Sequence, residues 1–377
     1  MSCALCRLPP AERAARAARP AKTLAFGLAL VALLGGCAAP VPKVMQLHAV
    51  DSAEERKLFF PPLPEVPRYL YAGQLLGEVN FQAQKEESNA ARNFFRWLVG
   101  LGGERGQLEL QRPLTGVVDE AGRIYVTDMG RAAVYVFDPV AGELNVWDKA
   151  VGLMNFSAPA GIAVGPGGDI LVADAQLGLV ARLDRKGETR GAIGKGLLKR
   201  PTGLAYDPRG RHIYVADTTA HDIKIFDEQG KLLKTVGRRG EAPGEFNFPT
   251  HLAFANGELY VTDTMNSRIQ VLDAAGEAVK LRLGERGLYL GNLVRPKGVA
   301  VDGEGNIYVV ESYHDHLLVF DRGGRLLLAL GGTGGEIGQF YLPAGVWVDR
   351  GNRVFVADMF NARVMVFQFL GGSGDGK

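Results

Sequence analysis

Histidine and recurring acidic residues are the side chains of this chain whose types and spacing could do chemistry. His251 follows Pro249 and Thr250 at a place where five similar stretches carry glycine. Histidine suits metal ligation and proton transfer, but no second histidine lies at a matching position, and one histidine cannot form a three-histidine site. We therefore predict no catalytic residue and no metal ligand, and keep His251 as a candidate for ligand or partner binding. The glycines in the matching slot are Gly116, Gly161, Gly203, Gly298 and Gly345.

Acidic residues also recur once in each similar stretch. Such a series could bind a cation, but a residue that returns in every unit is more simply a turn-former whose carboxylate accepts backbone N–H bonds. His314 and His316 flank Asp315, and His221 lies in an earlier turn, so a mixed site with His251 is conceivable without support from the spacing. We assign no cofactor and leave a divalent metal as an open alternative. The series is Asp128, Asp174, Asp217, Asp263, Glu311 and Asp358.

Three arginines precede a proline that opens a unit, namely Arg112, Arg200 and Arg295. They fall in alternate units, and guanidinium groups spaced around a ring could hold an anionic ligand or partner through forked hydrogen bonds. The simpler interpretation is an exposed connector residue. Arg268 and Arg363 each follow an acidic residue of the series by five positions, and we expect pairing within the unit.

The elements that must position these residues are repeated strands. In 248–273 an alternating run led by a proline, a second run ending in Asp263 and a third ending in Asp273 predict three antiparallel strands. The pattern returns at intervals of about 42 to 48 residues, the length of one propeller blade. Fifty Gly and nineteen Pro suit the turns of an all-β repeat protein.

Several of these motifs resemble NHL repeats. They are the Pro-x-Gly-apolar start, the Tyr-Val-Ala/Thr-Asp strand and the Asn266-x-Arg268-Ile269 or Asn361-x-Arg363-Val364 turn. The resemblance covers about 113–370 and implies an all-β, six-bladed β-propeller of four-stranded antiparallel blades. It implies little about activity, because one fold hosts many functions.

The last repeat stops after Val364 to Phe367 and would leave an unpaired strand edge. We predict that an N-terminal strand covers this edge and closes the ring. Arg68–Leu76 is the expected donor, and Phe95–Leu101 is the alternative. In such a ring, the connectors into the inner strands and the turns after the second strands share one face around the central channel, where binding is expected.

The first 36 residues differ from the rest and predict a lipoprotein signal peptide. A basic segment precedes an apolar run, Thr23 to Leu34, which ends in Leu34-Gly35-Gly36-Cys37. This end resembles the lipobox of bacterial lipoproteins, which implies lipidation of Cys37; an uncleaved anchor or an ordinary secretory signal is the alternative. Residues 37–67 are then a Pro-rich tether, 68–370 the propeller and 371–377 a flexible tail.

Removal of the signal would take away five basic residues and one acid, changing the formal net charge from +2 to −2. It would also remove Cys3 and Cys6, leaving no disulfide framework. A nearly neutral exported protein argues against nucleic-acid binding. We expect a bacterial cell-envelope protein, lipid-anchored and in the outer membrane.

These features favour a monomeric binding or scaffolding module for a protein, peptide or glycan partner at the mouth of the channel. The alternative is a metal-dependent hydrolase or lyase, because gluconolactonases and peptide-amidating lyases resemble this architecture. No Ser-His-Asp arrangement, phosphate loop or paired-carboxylate spacing is recognisable in the sequence.

Overall fold

A computed structural model describes residues 43–47, 58–83 and 108–371. The predicted signal peptide, Cys37, the alternative closing segment Phe95–Leu101 and residues 372–377 lie outside the described residues. The described chain is built from strands and short turns. None of its helices is long and apolar enough to cross a bilayer.

The strands fall into an N-terminal group and six blades, numbered in chain order. The N-terminal group comprises β1 (Lys43–Met45), β2 (Phe59–Phe60), β3 (Tyr69–Leu75) and β4 (Phe81–Ala83). Blade 1 comprises β5 (Pro113–Val118), β6 (Ile124–Asp128), β7 (Ala133–Asp138) and β8 (Glu143–Trp147), and is followed by a connector hairpin of β9 (Lys149–Val151) and β10 (Met154–Asn155). Blade 2 comprises β11 (Pro159–Val164), β12 (Ile170–Asp174), β13 (Leu179–Leu183) and β14 (Thr189–Ile193).

The remaining blades repeat this order of inner strand, second strand, third strand and outer strand. Blade 3 comprises β15 (Pro201–Asp207), β16 (His212–Asp217), β17 (Asp222–Asp227) and β18 (Leu232–Val236). Blade 4 comprises β19 (Pro249–Ala255), β20 (Glu258–Asp263), β21 (Arg268–Asp273) and β22 (Val279–Leu283). Blade 5 comprises β23 (Pro296–Val301), β24 (Ile307–Glu311), β25 (His316–Phe320) and β26 (Leu326–Gly331), and blade 6 contains β27 (Val346–Val348), β28 (Arg353–Asp358) and β29 (Arg363–Phe369).

The inner strands contact one another in the order β5, β11, β15, β19, β23, β27 and back to β5, which closes a ring of six blades. The second and third strands are buried on both faces because each blade packs between two neighbours. Outer strands such as β18 alternate between partly buried and exposed positions, as expected at the rim. The predicted all-β, six-bladed propeller of four-stranded antiparallel blades is confirmed.

The N-terminal strand β3 supplies the outer strand of blade 6. It pairs antiparallel with β29, from Val364 opposite Leu75 to Phe369 opposite Tyr69, and β2 extends the same sheet. The Tyr69 hydroxyl lies 3.1 Å from that of Tyr308, which donates to Asp302 in blade 5 at 2.8 Å. Closure within the predicted segment Arg68–Leu76 is confirmed, and it covers the edge of β29.

The glycine slot of the inner strands is set by close approach between blades. A Cβ added at Gly203 would lie 2.7 Å from the Thr250 carbonyl oxygen, and one added at Gly345 would lie 2.4 Å from the Leu114 carbonyl oxygen. Gly161 and Gly298 face the next inner strand in the same way. Glycine is therefore required by backbone packing at these positions.

The prediction that Gly116 occupies this slot in blade 1 is wrong. Thr115 pairs with Thr127 as Gly203 pairs with Ala216, so Thr115 occupies the slot and Gly116 takes the apolar position after it. Trp347 explains the displaced glycine, because a Cβ on Gly116 would lie 2.5 Å from its ring. His251 is thus one of two departures from glycine in the slot.

Candidate functional site

One end of the propeller carries all the described segments that lead into inner strands or follow second strands. We call this surface the connector face. It comprises residues 111–112, 129–132, 148–158, 175–178, 194–200, 218–221, 237–248, 264–267, 284–295, 312–315, 331–342 and 359–362. The opposite face carries the turns between first and second strands and between third and fourth strands.

The buried carboxylates of the acidic series hold the connectors of this face in place by accepting their backbone N–H groups. Asp217 is fully buried and accepts the backbone N–H groups of Lys199 and Arg200 at 2.9 and 2.7 Å, which ties the connector to the second strand. The interpretation of the series as backbone acceptors is confirmed in every blade. The other acceptor–donor pairs are Asp128 with Gln111, Asp174 with Ser157, Asp263 with Asn247, Glu311 with Arg295 and Asp358 with Tyr341.

The turn after each second strand places its fourth residue in the left-handed region. His221 and Ser267 have φ of 60° and 54°, and Gly178 fills the same place in blade 2 with φ of 66°. This conformation lets the chain reverse within four residues while the acidic side chain caps the turn. These turns therefore define the backbone from which exposed side chains of the connector face extend.

Arg268 and Arg363 pair within their blades, as predicted. The Arg268 Nε lies 2.7 Å from Asp263, and its other nitrogens donate to the carbonyl oxygens of Glu241, Ala242 and Glu245. Arg363 lies 2.8 Å from Asp358. Both side chains are buried, so these arginines hold a connector in place instead of facing a partner.

Arg112, Arg200 and Arg295 occupy equivalent exposed positions in blades 1, 3 and 5. Their backbone N–H groups donate to the acidic series, which fixes where each side chain starts. The Arg112 guanidinium carbon lies 5.7 Å from the centre of the Phe360 ring, a cation–π contact between blades 1 and 6. Shared binding of an anion by the three remains a prediction.

His251 lies partly buried at the start of β19 and is neutral. Thr264 donates to the Pro296 carbonyl at 3.0 Å, so Thr250 donates to Thr264 at 2.7 Å, and the Thr250 oxygen is left to accept from His251 Nδ1 at 3.0 Å. This network assigns the proton to Nδ1 and leaves Nε2 as an acceptor. Burial, and then the charge of Lys297, lower the pKa of His251 from 6.5 to about 3.

The other histidines of interest serve local contacts. His221 packs edge-on against Phe248 at 4.5 Å and accepts its backbone N–H at 3.2 Å, and His314 lies 2.8 Å from Glu311. The ring centres of His314 and His316 are 6.4 Å apart. Across residues 43–47, 58–83 and 108–371, no group of three His, Cys, Asp or Glu side chains is placed to hold a metal ion.

Large exposed apolar side chains concentrate on the connector face. Within 108–371, twelve such residues lie there, whereas the opposite face exposes Val140 in a turn and Leu370 after β29. Leu63 and Val66, which precede β3, are also exposed at that opposite end. Tyr289 is 86% exposed and Leu153 is 94% exposed, so these rings and chains stand free of the scaffold. The twelve are Met129, Leu153, Met154, Leu197, Phe248, Met265, Leu288, Tyr289, Leu290, Tyr313, Tyr341 and Phe360.

The same face is basic. Its segments expose ten Lys and Arg side chains against four Asp and Glu, although the whole chain has a formal net charge of only +2. Sequence reasoning missed both this surplus and the apolar set, because loop residues follow no strand or helix period. Pooling the connector residues of all six blades and examining their composition could have revealed both the basic surplus and the apolar side chains.

Comparison with known proteins agrees with the fold. A family model described as a 6-bladed beta-propeller matches residues 206–281. Protein brain tumor of Drosophila melanogaster is 31% identical over 136 residues, covering 35% of this chain and 12% of that protein. Human E3 ubiquitin-protein ligase NHLRC1 is 30% identical over 129 residues, covering 34% of this chain and 31% of that protein.

The chain therefore spans less than a third of the length of these curated relatives. Among solved structures, a streptogramin B lyase superposes with a TM-score of 0.52 at 13% identity, covering 69% of this chain and 94% of the other. A chain of a nidogen/laminin complex gives a TM-score of 0.51 at 18% identity, covering 67% of this chain and 87% of the other. At these identities the structural likeness shows the fold alone.

Proposed function

We propose that this six-bladed propeller with NHL-repeat relatives is a scaffold that binds a protein partner on its connector face. The observation that carries the proposal is the concentration of exposed apolar side chains on the connector face, with twelve of them within 108–371. Exposed apolar surface on one side of a folded protein marks an interaction site. Tyrosine, phenylalanine, methionine and arginine, which dominate this face, are the residues enriched at protein interfaces.

The charge of the connector face favours an acidic partner. Ten exposed basic side chains against four acidic ones create a positive field that would steer a negatively charged surface toward the apolar residues. The internal hydrogen bonds of the acidic series support binding without large rearrangement, because they fix the connectors before a partner arrives.

We also propose that the protein is held at a bacterial membrane through lipidated Cys37. The sequence Leu34-Gly35-Gly36-Cys37 and the proline-rich residues that follow it support this proposal. A lipid on Cys37 would hold the propeller close to a membrane. Cys37→Ala should abolish fatty acylation and membrane association, and an acylated, membrane-bound Cys37→Ala protein would contradict the anchor.

Co-purification with matched surface variants tests the binding function. Full-length tagged protein is isolated from its host, and bound proteins are quantified by mass spectrometry for wild type, for Leu288→Ser/Tyr289→Ser/Leu290→Ser and for Val140→Ser. Leu288, Tyr289, Leu290 and Val140 are 75%, 86%, 66% and 81% exposed in the wild type, so folding should not depend on these side chains. The proposal is supported if a protein is recovered with wild type and with Val140→Ser but not with the triple variant. Equal recovery of bound proteins from all three would contradict it.

A further inference from the structure

Lys297 introduces a positive charge where the other blades have none. It directly follows Pro296 at the start of β23 and is partly buried. In blades 3 and 4 this position is a threonine whose hydroxyl belongs to the scaffold: Thr202 bonds Thr218 at 2.6 Å and Thr250 bonds Thr264 at 2.7 Å. The propeller therefore does not need a lysine at this position. The equivalent residues are Leu114, Ala160, Thr202, Thr250 and Ala344.

The backbone from which Lys297 extends is held by the neighbouring blade. Thr264 donates to the Pro296 carbonyl at 3.0 Å, and Thr262 donates to the Lys297 carbonyl at 2.7 Å. These bonds join blades 4 and 5 at the start of the inner strand. The side chain accordingly starts from a fixed point at the connector-face end of the ring, as a preorganised binding group requires.

The Lys297 ammonium has no acceptor among the residues that the structure describes. Its surroundings are basic: Arg295 is exposed two residues earlier, and the charge of Lys297 acts on His251 in the adjacent inner strand. Burial, with Arg295 adding to it, lowers the pKa of Lys297. The side chain is only partly buried and its ammonium keeps contact with water. A cation that has lost part of its water without gaining a counter-ion favours binding of an anion.

The chain treats another buried lysine in the usual way. Lys224, in blade 3, lies 3.2 Å from Asp217 and 2.6 Å from Asp222. Its charge is neutralised within one blade. Among the described residues, no such carboxylate pairs with Lys297.

We propose that Lys297 receives one carboxylate of the partner that covers the connector face, with Arg295 and His251 beside it. The inference rests on the proposed function and gives the partner a chemistry: an acidic side chain or a C-terminal carboxylate that reaches the start of β23. A carboxylate would make charge-assisted hydrogen bonds to the ammonium and offset its desolvation.

Lysine side-chain NMR of the whole protein tests the proposal with defined probes. N-acetylglycine represents a terminal carboxylate, N-acetylaspartate amide represents an acidic side chain, and N-acetylglycinamide is the neutral control, each titrated at constant ionic strength. Either carboxylate should shift the Lys297 Cε signal saturably, and the neutral amide should not. Lys297→Thr should weaken the bound carboxylate about tenfold to a hundredfold, the expected loss for a charged hydrogen bond.

Lys195→Thr is the matched control, because Lys195 is an exposed lysine on the same face. It should leave carboxylate affinity unchanged, and Lys297→Thr should keep the fold because threonine occupies this position in two blades. Absence of a saturable shift, equal losses in both variants, or stronger binding of inorganic phosphate would overturn the proposal. If partner co-purification still depends on Leu288, Tyr289 and Leu290, such a result would refute only the carboxylate contact at Lys297. If co-purification does not depend on them, the proposed binding function is refuted as well.

Discussion

Acidification should destabilise the protein through His251, because the folded state keeps this imidazole neutral. Burial and Lys297 lower its pKa from 6.5 to about 3, and unfolding restores the ordinary value. Below pH 6.5 the His251 imidazole is therefore protonated in the unfolded chain and stays neutral in the folded chain. The stability present above pH 6.5 is lost progressively as the pH falls toward 3.

The size of the effect follows from the two pKa values. At pH 5 an unfolded-state histidine with a pKa of 6.5 is protonated, whereas the folded-state group is neutral. The difference of about 1.5 pH units corresponds to about 2 kcal/mol of lost stability, since one unit is about 1.4 kcal/mol. Carboxylates elsewhere also titrate in this range, so the contribution of His251 must be isolated by difference.

The contribution of His251 is obtained by comparing the free energies of unfolding of wild type and His251→Gln at about pH 8 and pH 5. Unfolding in urea is followed by tryptophan fluorescence. At the higher pH both side chains are uncharged, so the difference in the free energy of unfolding reports packing alone. On acidification the wild type should lose about 2 kcal/mol more than the variant. Equal losses would show that the imidazole is hydrated, and the placement of His251 against Lys297 would be wrong.

Three further predictions use the same unfolding assay. Gly203→Ala should lower the free energy of unfolding by about 1–3 kcal/mol, because the added methyl group forces neighbouring inner strands apart. The control Gly303→Ala, whose added Cβ has its nearest contact 3.9 Å away, should change it by less than about 0.5 kcal/mol, and similar losses in both variants would refute the close approach. Arg268→Gln should cost about 3 kcal/mol or more because a buried pair is broken, and Arg325→Gln, in an exposed pair, less than about 1 kcal/mol, so equal costs would contradict the buried role. Tyr69→Phe should cost about 1 kcal/mol by removing its hydrogen bond to blade 5, and no change would show that the bond does not contribute to closure.

The fold could be predicted because its determinants are local and repeated. Each second strand ends in an acidic residue that caps the same turn, so its recurrence in six repeats strengthened the interpretation of each one. The backbone hydrogen bonds of Asp217 and Asp263 confirm that interpretation. Closure by β3 also followed from a local argument, since the edge of β29 had to be covered. The pairing of Arg268 with Asp263 depended only on spacing within one turn.

The features that escaped prediction depend on contacts between blades. The displacement of the slot glycine from Thr115 to Gly116 reflects the bulk of Trp347, which lies more than 200 residues away in sequence. Lys297 is informative only when its neighbours are known, because its lack of a counter-ion is a property of the assembled ring. A comparison of the residues after each opening proline would have shown one isolated cation, but not its surroundings.

Site-specific crosslinking tests most directly whether the connector face binds a partner. A photoreactive phenylalanine is placed at Tyr289, which is 86% exposed on this face, or at Val140, which is 81% exposed on the opposite face. After irradiation in the native host, we expect a discrete adduct from position 289, identified by mass spectrometry, and none from position 140. Adducts of equal yield from both positions, or from position 140 alone, would contradict it.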